Sequence, residues 1–183
     1  PGSGKTTVII NRIKYLVDDL KVRNGNIIVL TFTKSAALNM KNRYEKAFRK
    51  EMSPFFGTFH GLFYKILLRE GYKIEIIQGY AANKIVEGVL KKYSDDVSED
   101  RVKEAINNIS LFKTSRVSLA EFKPSFSKDI FTECYEKYTM YKNEHGLWDF
   151  DDLAIKILEI FTNNTRLREG YRNLFKYILV DEF

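Results

Sequence analysis

Hydrophobic positions along the chain alternate between short apolar runs and longer stretches with helical spacing. Four consecutive apolar residues, 27–30, follow the turn signal Asn24-Gly25-Asn26. A run that is apolar on both faces is typical of a parallel strand covered by helices on each side. A helix is predicted ahead of it, from Thr7 to about Leu20, because apolar residues recur there at helical spacing. Its buried stripe is predicted to contain Val8, Ile9, Ile13, Leu16 and Val17.

A similar alternation continues on both sides of the middle of the chain. A helix is predicted to follow Ser35, with Ala37, Met40 and Tyr44 inward and basic residues, among them Arg43, on the other face. Residues 55–60 are strand-like and precede a predicted helix at 61–69. The run 177–180 has the pattern of a central parallel strand. Helices alternating with such strands predict an α/β fold with a parallel sheet.

Residues 71–145 carry a different pattern, which is helical apart from a brief extended segment at 74–77. This predicts an all-helical subdomain inserted into the α/β domain, with boundaries 1–70 and 146–183 for the outer domain and 71–145 for the insertion. The stripe of Phe131, Cys134 and Tyr138 is predicted to be core, and Ser118-Leu119-Ala120-Glu121 matches a capping box. Several basic residues here either face a nucleic acid or form a solvated surface: Lys91, Lys92, Lys103, Lys113, Arg116 and Lys123.

Composition narrows the class of protein only modestly. The 183 residues suit one domain with a sizeable insertion, and 44% hydrophobic residues suffice for a packed core. The chain contains no run of 18 apolar residues, so no membrane-spanning helix is predicted. The lone Cys134 cannot form an internal disulfide, so we expect a reducing, cytoplasmic location. The net charge of +6 weakly favours a polyanionic partner.

The first seven residues, Pro1-Gly2-Ser3-Gly4-Lys5-Thr6-Thr7, match the end of the phosphate-binding P-loop pattern G-x-x-x-x-G-K-[ST]. Gly2 and Gly4 allow a tight turn whose backbone N–H groups approach phosphate oxygens. Lys5 can then reach the β- and γ-phosphates of a nucleotide, and the Thr6 hydroxyl can bind Mg²⁺. Because the motif is cut at its start, we expect the chain to be a segment of a longer protein.

Two acids, Asp181 and Glu182, follow the last predicted strand. Beside a P-loop, Asp181 could hold Mg²⁺ through water and Glu182 could deprotonate the attacking water. The acids around residue 150 have a simpler interpretation than a metal site, because Asp149 or Asp151 would cap the helix predicted to run to about Phe161. His60 could be a switch or a ligand, but because it stands beside aromatic residues the simpler interpretation is a packed core histidine.

With these motifs in place, the whole chain resembles the N-terminal region of a UvrD/PcrA/Rep-type superfamily-one DNA helicase. Residues 1–7 resemble that family's motif I, and 178–183 resemble motif II. Motif Ia is matched by Thr31-Phe32-Thr33 with Ala36-Ala37, Met40 and Arg43, and motif Ib by Gly57-Thr58-Phe59-His60. Departures from the usual pattern occur at Lys34-Ser35, Asn39 and Gly61, where the family more often has Asn-Lys, Glu and Ser.

The resemblance implies a RecA-like ATP-binding domain that works with a second RecA-like domain elsewhere in the protein. It implies ATP and Mg²⁺ as cofactors and single-stranded DNA or single-strand/duplex junctions as partners, with a role in repair or replication. It also implies that the isolated segment is inactive. The residues it places against DNA are Thr31, Phe32, Thr33, Lys34, Arg43, Gly57, Thr58, Phe59 and His60.

Three other functions remain open from the sequence. The same motor could belong to a helicase–nuclease subunit of the AddA/RecB kind, which only a nuclease domain elsewhere in the protein would reveal. The chain could instead belong to a DNA-binding regulator whose ATPase is silent. A P-loop kinase acting on a small molecule is a third alternative, although adjacent Asp181 and Glu182 suit water activation better.

Overall fold

A computed structural model describes residues 4–48 and 53–181 of the chain. The chain divides into two compact units. The first contains the described residues up to Arg69 together with those from Ile157 onward, and the second is Glu70–Lys156.

The first unit is built on a three-stranded parallel sheet. Its strands are β1 (Ile27–Leu30), β2 (Phe55–Gly57) and β5 (Tyr177–Val180), in the order β2-β1-β5. Leu30 lies opposite both Gly57 and Val180, so the three strands end in one row. All four residues of β1 are buried, as expected for a strand covered on both faces. The predicted α/β class with a parallel sheet is confirmed.

Helices of the first unit follow the predicted order with shifted ends. They are α1 (Lys5–Lys14), which continues as a π-helical segment Tyr15–Asp19, α2 (Lys34–Phe48), α3 (Phe59–Arg69) and α8 (Thr165–Leu174). The helix α8 was not predicted. The stripe of α1 was wrong at one position, because Val8 is exposed and Ile10 is buried. Ile10 and Ile13 pack with Ile27 and Val29 of β1.

The second unit is mainly helical. It contains α4 (Gly79–Leu90), α5 (Glu99–Ser115), α6 (Lys128–His145) and the start of α7 (Phe150–Asn163). Two short parallel strands, β3 (Glu75–Ile76) and β4 (Leu147–Trp148), also pair here, so the unit is not purely helical. The core joins α4, α5 and α6, and it contains Phe131, Cys134 and Tyr138 as predicted. Burial raises the pKa of the Cys134 thiol to about 11.

The predicted capping box at Ser118–Glu121 forms its hydrogen bonds but begins no helix. The Glu121 carboxylate accepts from the Ser118 N–H at 3.0 Å, and the Glu121 N–H donates to the Ser118 hydroxyl at 3.4 Å. The chain there makes a turn and reaches α6 only at Lys128. Pro124 stands three residues after Glu121, and it lacks the backbone N–H that would continue a helix through this segment.

A buried cluster of opposite charges fixes the start of α7. The Asp149 carboxylate accepts from the Asp152 N–H at 2.9 Å, and the Asp152 carboxylate accepts from the Asp149 N–H at 2.9 Å. This reciprocal cap confirms that Asp149 caps the helix. Lys113 of α5 donates to both carboxylates at 2.6 Å, and Lys142 of α6 also contacts both. The Tyr138 hydroxyl donates to Asp149 at 3.1 Å.

Lys113 therefore does not belong to a solvated or nucleic-acid-facing surface, and that prediction was wrong. Its side chain is 10% exposed and that of Lys142 is 6% exposed. Burial alone would raise the pKa of Asp149, but hydrogen bonds from Lys113 and Lys142 outweigh it and hold that pKa well below its usual range. Likewise, burial would lower the pKa of Lys113, but its hydrogen bonds to the two carboxylates raise it.

Arg116 provides a stability prediction, because it ends α5 in the left-handed conformation with φ 59°. A side chain with a Cβ is strained there and glycine is not. We expect Arg116→Gly to slow amide hydrogen exchange in α5, with a gain of about 0.5–1 kcal/mol in the free energy of opening. Lys103→Gly, an exposed lysine inside the same helix, is the matched control and should lose about 1 kcal/mol. A loss at both positions would contradict the prediction.

Candidate functional site

The candidate site lies at the carboxyl edge of the first unit's sheet, where ligands bind in open α/β folds. Thr31, Thr58 and Asp181 each follow directly after one of the three strands. Backbone hydrogen bonds continue past the strand ends, since the Asp181 N–H donates to the Leu30 carbonyl at 2.8 Å. The Thr31 N–H donates to the Gly57 carbonyl at 2.9 Å. The segments that carry the predicted motifs are thus aligned along one edge.

The loop between β1 and α2 is held by two threonines. Thr33 is the N-cap of α2, because its hydroxyl accepts from the Ala36 N–H at 3.1 Å and its carbonyl accepts from the Ala37 N–H at 3.1 Å. Thr31 is 2% exposed, and its hydroxyl donates to the Thr33 carbonyl at 2.9 Å. Between them, Phe32 is 82% exposed. The loop therefore presents an aromatic ring on a backbone that its own threonines hold in place.

The loop between β2 and α3 is a shorter version of the same arrangement. Thr58 caps α3, accepting from the Gly61 N–H at 3.1 Å through its hydroxyl. Phe59 is the first residue of the helix and is 41% exposed. His60 is also exposed, so the prediction of a packed core histidine was wrong. The predicted helix start at Gly61 was late by two residues, because Thr58 begins the helix as its cap.

Gly57 is a position where a side chain would not fit without movement. A Cβ on Gly57 would lie 2.5 Å from Cζ of Phe55, whose ring covers it. The Lys65 ammonium lies 4.8 Å from the centre of that ring. Gly61 has a tighter-than-usual space as well, since its Cβ would lie 3.3 Å from the Thr58 hydroxyl oxygen. Gly61, which stands where the family more often has serine, therefore avoids a close contact with the capping hydroxyl of Thr58.

Basic residues of α2 lie at different distances from the edge. Lys34 is exposed at the first position of the helix. Arg43 is exposed too, but a rise of 1.5 Å per residue puts it about 14 Å farther along the helix axis. Lys41, between them, forms an ion pair with Glu45 at 3.6 Å.

The described part of the P-loop has the expected turn geometry. Gly4 is the N-cap of α1 with φ 72°, a conformation that residues with a Cβ rarely adopt, and its carbonyl accepts from the Val8 N–H at 3.0 Å. Only residues 20–26 separate the π-helical extension of α1 from β1, and α1 packs on that strand. A helix joined to its strand by so short a connection runs antiparallel to it. The start of α1 is therefore on the side of the carboxyl edge.

Several predicted site residues lie outside the described part of the chain. These are Pro1, Gly2, Ser3 and Glu182, and the side chain of Lys5 is likewise not described. Thr6 is partly buried and Thr7 exposed at the start of α1, and Asp181 is partly buried at the end of β5. Within residues 4–48 and 53–181, no group of three or more His, Cys, Asp or Glu side chains is placed to hold a metal ion. In the same residues no helix is long and apolar enough to cross a membrane.

Comparisons with known proteins show the family of the chain. The model of the UvrD/REP helicase N-terminal domain family matches residues 1–183, so the chain belongs to that family. It is 32% identical over its full length to the Bacillus subtilis protein YjcD, named as a candidate ATP-dependent DNA helicase. It is 29% identical, again over its full length, to the ATP-dependent DNA helicase PcrA of Staphylococcus aureus strain Mu50. The chain spans 25% of the former and 26% of the latter.

Proposed function

We propose that the full-length protein is an ATP-dependent DNA helicase and that this chain is the nucleotide-binding segment of its motor. ATP hydrolysis would drive translocation along single-stranded DNA and the unwinding of duplexes, in DNA repair or replication. The observation that carries the proposal is the carboxyl edge of the sheet. There, Asp181 and two loops with exposed phenylalanines follow strands that end in one row, and the P-loop helix begins on the same side of the sheet.

Nucleotide binding is assigned to the P-loop and to the end of β5. Backbone N–H groups of residues 1–7 would surround the phosphates, and the positive end of α1 would favour their negative charge. The Lys5 ammonium would neutralise the β- and γ-phosphates, and Glu182 would orient and deprotonate the attacking water.

The residues present also suit a magnesium ion bound with the nucleotide. Thr6 and Asp181 offer the hard oxygen ligands that Mg²⁺ prefers, and Mg²⁺ commonly binds one or two protein oxygens together with substrate phosphates. When bound, the ion would offset negative charge on the phosphates.

Single-stranded DNA is assigned to the two loops beside this nucleotide site. Phe32 and Phe59 are exposed aromatic side chains, and such rings stack on unpaired bases irrespective of sequence. Lys34 at the start of α2 and Arg43 farther along it would contact phosphates. Thr33 and Thr58 already use their hydroxyls as helix caps, so their part would be to shape the loops.

The two compact units support a proposed division of labour. The first unit would form most of a RecA-like ATP-binding domain, predicted at 1–70 and 146–183. The second unit, which also includes residues 146–156, would contain the inserted domain predicted at 71–145. A second RecA-like domain of the same protein would supply further positive charge to the γ-phosphate, so the isolated segment would turn over ATP poorly. The helicase–nuclease alternative shares this motor and differs only in domains beyond this chain.

The test is ATP hydrolysis by the full-length protein with and without a single-stranded oligonucleotide, followed by strand separation of a duplex with a single-stranded tail. We expect DNA to stimulate hydrolysis and hydrolysis to be required for strand separation. ATP turnover that DNA leaves unchanged, with phosphate transferred to a small molecule, would instead favour a kinase. Binding of DNA without any turnover would favour the silent regulator.

A further inference from the structure

The position of Thr31 separates it from the residues that could touch DNA directly. Thr31 is 2% exposed, whereas its neighbour Phe32 is 82% exposed. The Thr31 hydroxyl donates to the Thr33 carbonyl at 2.9 Å, and the Thr31 N–H donates to the Gly57 carbonyl at 2.9 Å. Both of its donors are therefore used inside the protein, one across the loop and one toward β2.

We propose that Thr31 is a positioning residue for single-stranded DNA, and this inference rests on the proposed function. Its hydroxyl holds the backbone on both sides of Phe32, so that the ring is presented to a base in a fixed orientation. The resemblance to the helicase family implied that Thr31 itself touches DNA. Its burial assigns it this indirect part instead.

A comparison of the two loops shows why Phe32 needs such a support. Phe59 is the first residue of α3, directly after the cap Thr58, so the helix itself holds its backbone. Phe32 precedes the cap Thr33 and lies outside α2. It therefore stands ahead of the helix's own hydrogen bonds, and the bond from Thr31 to Thr33 closes the loop around it. The loop between β1 and α2, whose phenylalanine lies outside the helix, therefore has a second threonine hydroxyl, that of Thr31, to hold its backbone.

The energetic reason is preorganisation. A base gains stacking free energy only after the cost of ordering the ring and its loop has been met. A loop already closed by the hydrogen bond from Thr31 to Thr33 meets that cost in the free protein. Loss of the bond would leave the ring present but less ordered, and DNA would bind more weakly.

The experiment uses Thr31→Val in the full-length protein, because valine keeps the volume of threonine and removes only the hydroxyl. We measure ATP hydrolysis against the concentration of a thymidine oligonucleotide. The half-saturating concentration should rise about three- to tenfold, the effect of one hydrogen bond, while the maximal rate stays within about twofold. Thr31→Ser, which keeps the hydroxyl, should restore the half-saturating concentration. Thr132→Val is the matched control, since it removes a hydroxyl-to-carbonyl bond of 2.8 Å in the second unit.

A double-substitution cycle distinguishes positioning from a general structural effect. In a Phe32→Ala background, Thr31→Val should change the half-saturating concentration by less than about twofold, because no ring remains to be positioned. An equal effect in both backgrounds would overturn the inference, and so would an unchanged half-saturating concentration in Thr31→Val alone. If DNA failed to stimulate hydrolysis by the unsubstituted protein, the proposed function would fall and this inference with it.

Discussion

Replacing Lys142 by methionine is expected to destabilise the second unit by about 3–5 kcal/mol. Methionine has a similar length and fits the same space, but it removes one of the two ammonium groups that face Asp149 and Asp152. Two carboxylates would then share Lys113 in a site where Asp149 is 13% exposed. The loss comes mainly from the buried negative charge that remains, since removing one partner of a buried pair leaves the other poorly solvated.

The measurement is amide hydrogen exchange in α5 and α6 of the full-length protein. Lys91→Met is the matched control, because Lys91 forms an exposed ion pair with Glu87 at 2.5 Å and such pairs contribute about 0–1 kcal/mol. Equal protection in Lys142→Met and the unsubstituted protein would show that the cluster does not hold these helices together.

The same cluster of Lys113, Lys142, Asp149 and Asp152 predicts that its contribution to stability is lost both at low pH and at high pH. The pKa of Asp149 is lowered in the folded chain, so its stabilisation is complete above the unfolded value, about 3.9, and is lost as pH falls below it. The pKa of Lys113 is raised, so its contribution is complete below about 10.4 and is lost as pH rises through the folded value. Near-ultraviolet circular dichroism should therefore show a plateau between these limits. The stability difference between Lys142→Met and the unsubstituted protein should become smaller as pH falls through the acid limit, because protonation removes the buried negative charge.

Lys5→Ala in the full-length protein should reduce DNA-stimulated ATP hydrolysis by at least about a hundredfold. Such a loss corresponds to roughly 3 kcal/mol of transition-state stabilisation, which is a typical effect of removing one charged group that contacts the reacting phosphates. Glu182→Gln should lower the maximal rate to a similar degree but retain ATP binding, because the amide keeps the size of the carboxylate and cannot accept the proton of water.

The readouts are the rate of phosphate release and the affinity for a fluorescent ATP analogue. Lys14→Ala, at the far end of α1, provides the matched control and should keep its activity. Full DNA-stimulated activity in both Lys5→Ala and Glu182→Gln would show that the nucleotide site has been assigned to the wrong residues.

Local hydrophobic patterns were sufficient to predict the bounds of an element where one periodicity dominated. The strands Ile27–Leu30 and Tyr177–Val180 have the predicted bounds, because each is a short apolar run between turn signals or charges. The prediction that Tyr177–Val180 is a central strand was wrong for the described sheet, since β5 lies at its edge and Ile178 is exposed. The prediction that Val8 rather than Ile10 is buried was wrong, because residues 8–10 do not follow a single dominant periodicity. Three consecutive apolar residues at 8–10 satisfy more than one helical stripe, and only packing on β1 selects Ile10.

Features formed by residues distant in sequence were not predictable. Lys113 and Asp149 are 36 positions apart, and no local pattern distinguishes Lys113 from the solvated lysines near it. An extended segment was predicted at 74–77, where β3 lies, but its pairing with the two-residue strand β4 was not predictable, because so short a strand carries no period. Thr31 and Phe32 are neighbours in the sequence, yet one is buried and bonded to Thr33 while the other is exposed.

From the sequence alone came the α/β class, the helicase family and the residues expected to bind phosphate, since these depend on residue types at fixed spacing. The tertiary structure decided which charges are buried, which ring faces solvent and which hydroxyls are used inside the protein. The physical reason is that burial and hydrogen bonding depend on what packs against a side chain, and most of those neighbours come from other helices and strands.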